Sequence, residues 1–346
     1  MNLRDLSAVL GLSQTTVSRA LNGFPEVSEE TRSRVKSAAD LHGYRPSAAA
    51  RRLATGKSGT LGVVFPRERN LLGDLRFTEF LSGVVQQASE HGYDITLAMT
   101  SGTQNEESVY RRTVRTARVD GMILSSPTIA DPRIDLLRQL GMPFVLHGRT
   151  RSEQHFPFLD VDNESAFFQA TKLLTDLGHK RIALLNGEKR LNYANDRDTG
   201  YHRALVHAGL SQQPYLVREG HMNEDHGASQ ARQLLADDSP LKPTAFLCSS
   251  ISQAEGVARV VRQSGLRIGK DISLIAHDDR LQDIRAETFD PPLTATQSSI
   301  GDAGKRAVEI LITHLREPSA PCLQEIWPID LVMRASTGPV ATKANN

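Results

Sequence analysis

Gln14, Thr15 and Arg19 are the first residues along the chain whose types and spacing carry a definite chemistry. A glutamine amide can pair bidentately with adenine and a guanidinium with guanine, while threonine can hydrogen-bond a base or set its methyl against thymine. Thr16, Ser18 and Asn22 are short hydrogen-bonding side chains suited to phosphate oxygens, contacts that position a protein on DNA without reading sequence. A second group follows short apolar runs in the body of the chain: Arg67, Ser125, His147, Asp162, Asn163, Ser249, Ser250, Asp278 and Asp279. Polar residues just past the strands of an open parallel sheet are where ligands collect. Arg197 with Asp278 offers a guanidinium and a carboxylate for adjacent hydroxyls, and Phe77 or Tyr193 offers a ring for the apolar face of a sugar. Asp162-Asn163 reads equally well as a helix cap, and Asp278-Asp279 as a loop turn.

No reaction chemistry is expected. His277 beside Asp278-Asp279, and His221 with His226, are fragments of metal-ligand sets, but nothing completes either to the four ligands of a structural zinc site. There is no Gly-x-Ser-x-Gly elbow and no phosphate-cradling loop. The expectation is a binding protein rather than an enzyme, with no catalytic residue, no cofactor and no metal.

The DNA-directed residues need a helix to present them. Leu3, Leu6, Val9 and Leu10 fit one helical face, and Gly11-Leu12-Ser13 breaks the pattern before Val17, Ala20 and Leu21 resume it. Ser13 can cap this second helix. Two short helices around a glycine turn are either a helix-turn-helix or a plain helical hairpin. Ser28 opens a third helix carrying Thr31, Val35, Ala38 and Leu41, enough to close a small core. Pro46 holds Arg45 extended and ends that helix, and Ser47 to Ala54 can form another. That hinge segment is shorter than the roughly 12 residues at which an isolated helix becomes marginal, so it needs DNA and a partner chain to form.

From Thr60 onward, apolar runs alternate with amphipathic stretches. Leu61–Phe65, Ile95–Ala98, Gly121–Leu124 and Phe144–Leu146 read as buried strands of one parallel sheet. A second set runs through Phe158–Val161, Arg181–Leu185, Tyr215–Val217, Ala245–Cys248 and Ile272–Ala276. Two sheets make two lobes. The fold class is an all-α helix-turn-helix head on an α/β core of two parallel sheets, each covered by helices. The expected division is a head at 1–45, a hinge at 46–59, one lobe at 60–156 plus 292–323, and the other at 157–291 plus 324–346.

Bulk properties agree. The 346 residues exceed the roughly 150 of one ordinary domain. Residues 1–60 hold nine Lys/Arg against five Asp/Glu, whereas the whole chain is only +1, the asymmetry expected when the head alone meets phosphate. Two cysteines imply no disulfide framework, and no apolar stretch suggests a membrane span or a secretory leader, so a cytoplasmic protein is expected.

The run from Gly11 to Gly23, with Val27-Ser28, Thr31-Arg32, Val35, Tyr44-Arg45-Pro46 and Ala54, closely resembles the head and hinge of the lactose/galactose repressor family, and the resemblance extends along essentially the whole chain. It implies a core of periplasmic-binding-protein type. It also implies Gln14, Thr15 and Arg19 as base readers and Leu53 as a wedge in the minor groove. Ser13, Thr16, Ser18, Asn22, Ser28, Tyr44, Arg51 and Ala54 complete the implied DNA-facing set. The family's Arg-x-x-Gly-aromatic motif is matched by Arg197, Gly200 and Tyr201, and its strand-end Asp-Asp pair by Asp278 and Asp279. Phe77, His147, Asp162, Tyr193, Arg197, Ser250 and Asp278 form the expected ligand set. Where the family usually carries Asn-Asp, this chain has Ser250-Ile251, so one hydroxyl contact is lost or moved. A homodimer on a near-palindromic operator follows from the resemblance. A tail-driven tetramer is not expected, since residues 338–346 lack leucine heptads.

The function implied is a repressor of a sugar-utilisation operon. His277-Asp278-Asp279 and residues 291–300 resemble regulators of α-glucoside operons, which suggests an α-linked disaccharide as effector. The alternatives are a purine or protein co-repressor acting on the same DNA-binding role, or a sugar-binding protein without regulatory function.

Overall fold

Three short helices form at the N-terminus because their ends are satisfied locally. The computed structural model describes residues 1–44, 57–66, 74–100, 105–117, 119–151, 155–236 and 241–340. In α1 (Leu3–Leu10), Asn2 and Asp5 cap each other's backbone N–H reciprocally, and Gly11 ends the helix at φ +65°. Ser13 caps α2 (Gln14–Leu21) and Ser28 caps α3 (Glu29–Leu41) by accepting from the amides of Thr16 and Thr31. Leu6, Val17, Ala20, Val27, Val35 and Ala39 close the head core. Two expected core positions stay outside it, Val9 at 58% and Leu41 at 80% exposure. The turn that brings Leu6 and Leu10 inward rotates Val9 to solvent, and Leu41 is the last residue of its helix.

The hinge-segment residues Arg51, Leu53 and Ala54 lie outside the described residues, as does Arg67. Just before the first strand of the core, the Asp120 carboxylate accepts from the amides of Ser58 and Gly59 at 2.6 and 2.8 Å and from the Ser58 hydroxyl at 2.9 Å. This clamp ties the exit from the hinge to the first lobe.

The first lobe is a six-stranded sheet built from β1 (Thr60–Pro66), β2 (Asp94–Thr100), β3 (Gly121–Ser125), β4 (Phe144–His147), β5 (Phe158–Val161) and β11 (Gln324–Trp327). Its order is β11-β5-β4-β3-β1-β2, with every pair parallel. The second is built from β6 (Ile182–Asn186), β7 (Val217–Glu219), β8 (Ala245–Cys248), β9 (Ser273–Asp278), β10 (Thr294–Gln297) and β12 (Asp330–Val332), in the order β12-β10-β9-β8-β6-β7. Only the β10–β12 pair is antiparallel. Helices cover both faces: α4 (Leu75–Glu90), α5 (Glu106–Arg112), α6 (Pro132–Gln139) and α11 (Ile300–Arg316) on the first sheet, and α7 (Asn163–Asp176), α8 (Asn192–His207), α9 (Glu224–Leu235) and α10 (Ile251–Gln263) on the second.

The lobe boundaries differ from the expected ones. Phe158–Val161 pairs with β4 and with Gln324–Trp327, so both segments belong to the first lobe, while Thr294–Gln297 pairs with β9 in the second. A short apolar run announces a strand but not the sheet it joins, because pairing partners lie far apart in the chain. The chain therefore crosses between lobes three times, after Val161, Gln297 and Trp327. The strand expected at Tyr215–Val217 begins later, at Val217, because Pro214 starts a 3-10 turn through Leu216.

Gly200 and Tyr201 position Arg197 rather than touching the cleft. A Cβ on Gly200 would lie 2.1 Å from the Glu164 carbonyl oxygen, so α8 and α7 meet backbone to backbone there. The buried Tyr201 hydroxyl donates to the Ile182 carbonyl at 2.8 Å. Gly200→Ala is expected to lower stability by about 1–3 kcal/mol through overpacking. Denaturant melts check this, and an unchanged midpoint would show that the helices can separate freely.

Candidate functional site

On the head, Gln14, Thr15 and Arg19 are exposed on α2, with Thr15 and Arg19 four residues apart on one face. Asn22 donates to the Ser18 carbonyl at 2.7 Å and so braces the end of the same helix. Ser13 and Ser28 are caps whose exposed sides stay available to phosphate. Tyr44 packs partly against the head core.

The carboxyl ends of the strands in both sheets converge on a cavity of about 540 Å³ between the lobes. Of the expected ligand residues, Phe77, His147, Tyr193 and Arg197 line it. Arg197 is 5% exposed. Its Nε donates to Asn163 Oδ1 at 2.7 Å and its Nη1 to the Ser249 carbonyl at 2.6 Å. Its guanidinium lies 4.9 Å from the centroid of the Phe167 ring and 5.1 Å from that of Tyr193, a cation–π setting with each ring. His147 stacks on Phe80 at 4.6 Å, and burial pushes its pKa down to about 4, leaving a neutral imidazole at pH 7. Phe77 packs against Phe65 at the first lobe's edge of the cavity.

Three expected ligand residues are turned elsewhere. Asp162 caps α7, accepting from the Ser165 amide. Ser250 caps α10, accepting from the Gln253 amide and donating to the Met222 carbonyl. The Asp278 carboxylate accepts from the Arg280 and Ala286 amides and from Gln297 Nε2, which ties down the loop after β9. Side chains alternate across a strand, so His277 and Asp279 face the cleft and Asp278 does not. Two adjacent aspartates give no sign of which parity points inward. Burial opposes ionisation of Asp279, but His277, Arg76 and Arg197 outweigh it and hold its carboxyl below the usual range.

Several cavity residues escaped the sequence reading. Asp74 caps α4 and holds Arg76, two residues on, through Nε at 3.1 Å and Nη2 at 2.7 Å. Asp131 caps α6 and holds Arg133 in the same way, at 2.8 and 2.6 Å. An aspartate cap followed at the second helical position by arginine was a legible signal for both. Met222 enters from the loop after β7. Among the described residues, no group of three or more His, Cys, Asp or Glu is placed to hold a metal ion.

Arg149 also joins the lobes. Arg149 Nε lies 3.1 Å from Asp160 in the first lobe, and its Nη2 lies 3.3 Å from Asp196 in the second. Burial pushes the Asp160 pKa up to about 7, against the pull of the Val161 amide and Arg149. The folded protein therefore holds this proton more tightly than the unfolded chain, whose value is about 3.9. The resulting stabilisation is complete below about pH 4 and is lost as pH rises towards 7, at on the order of 1 kcal/mol per pH unit. Asp160→Asn should flatten that part of the stability profile in denaturant melts, and an unaltered slope would contradict the assignment.

A three-helix head with an exposed second helix, followed by a two-lobed cleft, defines a class, that of DNA-binding regulators controlled by a small molecule. Residues 2–47 match the model of bacterial regulatory proteins of the lacI family, and residues 171–337 match a periplasmic binding protein-like domain. The HTH-type transcriptional regulator AglR of Rhizobium meliloti (strain 1021) is 44% identical over 345 residues, covering 99% of this chain and 96% of that protein. A lac repressor dimer bound to operator and the anti-inducer ONPF has a TM-score of 0.81 at 26% identity, over 98% of this chain and 99% of that one. The complex of the transcriptional regulator CelR with cellobiose has a TM-score of 0.71 at 28% identity, over 96% and 99%. The chain belongs to the LacI family of transcriptional regulators. It is a ligand-responsive, DNA-binding regulator of transcription. No helix among the described residues is long and apolar enough to cross a membrane.

Proposed function

We propose that this protein is a cytoplasmic, homodimeric repressor of a sugar-utilisation operon whose operator affinity is set by a neutral sugar of about disaccharide size. The observation that carries this reading is Arg197, set against the rings of Phe167 and Tyr193 on the wall of the cleft, with the ionised Asp279 lining the same cavity. Planar donors and acceptors beside aromatic rings suit vicinal hydroxyls and the apolar face of a pyranose. The carboxylates paired with Arg76 and Arg133, with Asp279 beside Arg197, offset the cationic charge that would attract an anionic ligand. The cavity's role is binding rather than catalysis, with no cofactor. Leu97 and Met99, exposed on the edge strand β2, suit coverage by a second copy.

Sugar binding shifts the lobes against each other. The Asp120 clamp passes the movement of the first lobe to the hinge, and the two heads of the dimer lose their register on the operator. Ligand and operator then weaken each other's binding by the same factor. The test selects a near-palindromic site from random duplex DNA and follows its affinity by fluorescence anisotropy. Maltose, trehalose, sucrose and cellobiose are compared with hypoxanthine and guanine. One disaccharide should weaken operator binding by about tenfold or more. A shift with a purine and none with any sugar would establish the co-repressor alternative instead.

A further inference from the structure

At one corner of the cleft, donors from both lobes converge on a single weak acceptor. Arg76, on the first lobe, is fixed by Asp74 through Nε and Nη2, and its Nη1 donates across the cleft to the sulfur of Met222 at 3.1 Å. From the second lobe, Arg197 Nη1 lies 3.9 Å and the Tyr193 hydroxyl 3.8 Å from the same sulfur. A thioether accepts hydrogen bonds poorly, so a hydroxyl oxygen would serve these donors better. Asp279 lines the same cavity at 7% exposure and interacts electrostatically with both arginines. Its Oδ2 is buried with no hydrogen-bond partner among the described residues. A buried carboxylate oxygen of this kind requires a donor.

We propose that the Arg76–Met222 corner is a subsite for the hydroxyls of an uncharged sugar, in which Met222 occupies the acceptor position until the sugar displaces it. The proposal rests on the neutral-sugar reading above and says which side chains the sugar's hydroxyls meet. A hydroxyl both accepts, as Arg76 needs, and donates, as Asp279 Oδ2 needs. A phosphate or carboxylate in the same place brings an acceptor alone. It would set its charge against Asp279, while Asp74 already neutralises Arg76. The corner also joins the lobes, so exchanging Met222 for a sugar hydroxyl changes what holds them together.

The test is calorimetric titration of the full-length protein with maltose, trehalose and sucrose, each beside its 6-phosphate. A neutral sugar should bind, with its phosphate about a hundredfold weaker from the like-charge contact. Arg76→Gln should weaken that sugar about tenfold. Met222→Leu keeps the volume but removes the acceptor, so the sugar no longer competes with the Arg76 contact, and affinity should rise about two- to fivefold. Opposite signs for the two variants are not expected of residues that only shape the wall. Unchanged affinity in both variants would overturn the subsite and leave the sugar reading standing, whereas equal or tighter binding of a phosphate would overturn the neutral-sugar reading and the subsite with it. Binding of none of the six would overturn the sugar reading and the subsite with it.

Discussion

Arg197→Leu is expected to abolish the response to sugar and to lower the stability of the second lobe. The guanidinium is buried, donates to Asn163 and to the Ser249 carbonyl, and packs against two aromatic rings. Leucine restores some apolar contact but leaves both acceptors without their donor, and Asp279 loses one of the cations that keep it ionised. Leaving two buried acceptors without their donor costs about 1–3 kcal/mol each. Hydrogen bonds from a charged group to a ligand contribute about 1.5–3 kcal/mol, so sugar affinity should fall by about a hundredfold. Calorimetry and thermal melts read the two effects separately. A variant that still releases operator at the same sugar concentration would show that the ligand binds elsewhere.

Val17→Asp should remove operator binding altogether while the core continues to bind sugar. Val17 is fully buried in a head core of six buried side chains among the described residues. Burying an unpaired carboxylate costs several kcal/mol, comparable with the whole stability of so small a unit. The head should unfold, and affinity should fall to the non-specific level, about a thousandfold or more below specific binding. The lobes have their own cores and no share in this one. Gel shifts on the selected operator and calorimetry with the sugar check the two halves. Undiminished operator binding would mean that α2 does not depend on this packing for its place on DNA.

The head was legible in the sequence because everything that shapes it is local. Asn2, Ser13 and Ser28 each meet an amide three residues on, and Gly11 sits where the chain must turn left-handed. The alternation of strands and helices in the body was legible for the same reason, since buried strands and amphipathic helices show their periods over a few residues. The cleft was legible in part. Arg197, Tyr193, Phe77 and His147 follow strands or open helices at the expected end of the sheets and do line it. Asp278 did not, because one residue of strand parity separates a ligand-facing carboxylate from one that braces a loop.

Taken alone, the sequence determined the capped helices of the head, the chemistry on the exposed face of α2, and two sets of parallel strands with polar residues at their ends. These depend on neighbours within one or two turns of chain. Only the tertiary structure decided that Phe158–Val161 and Gln324–Trp327 join the first sheet, that Asp279 rather than Asp278 faces the cavity, and that Arg76 meets Met222 across it. Each of these is a juxtaposition or orientation set by packing between segments distant in the chain, and local periodicity carries no information about such a partner.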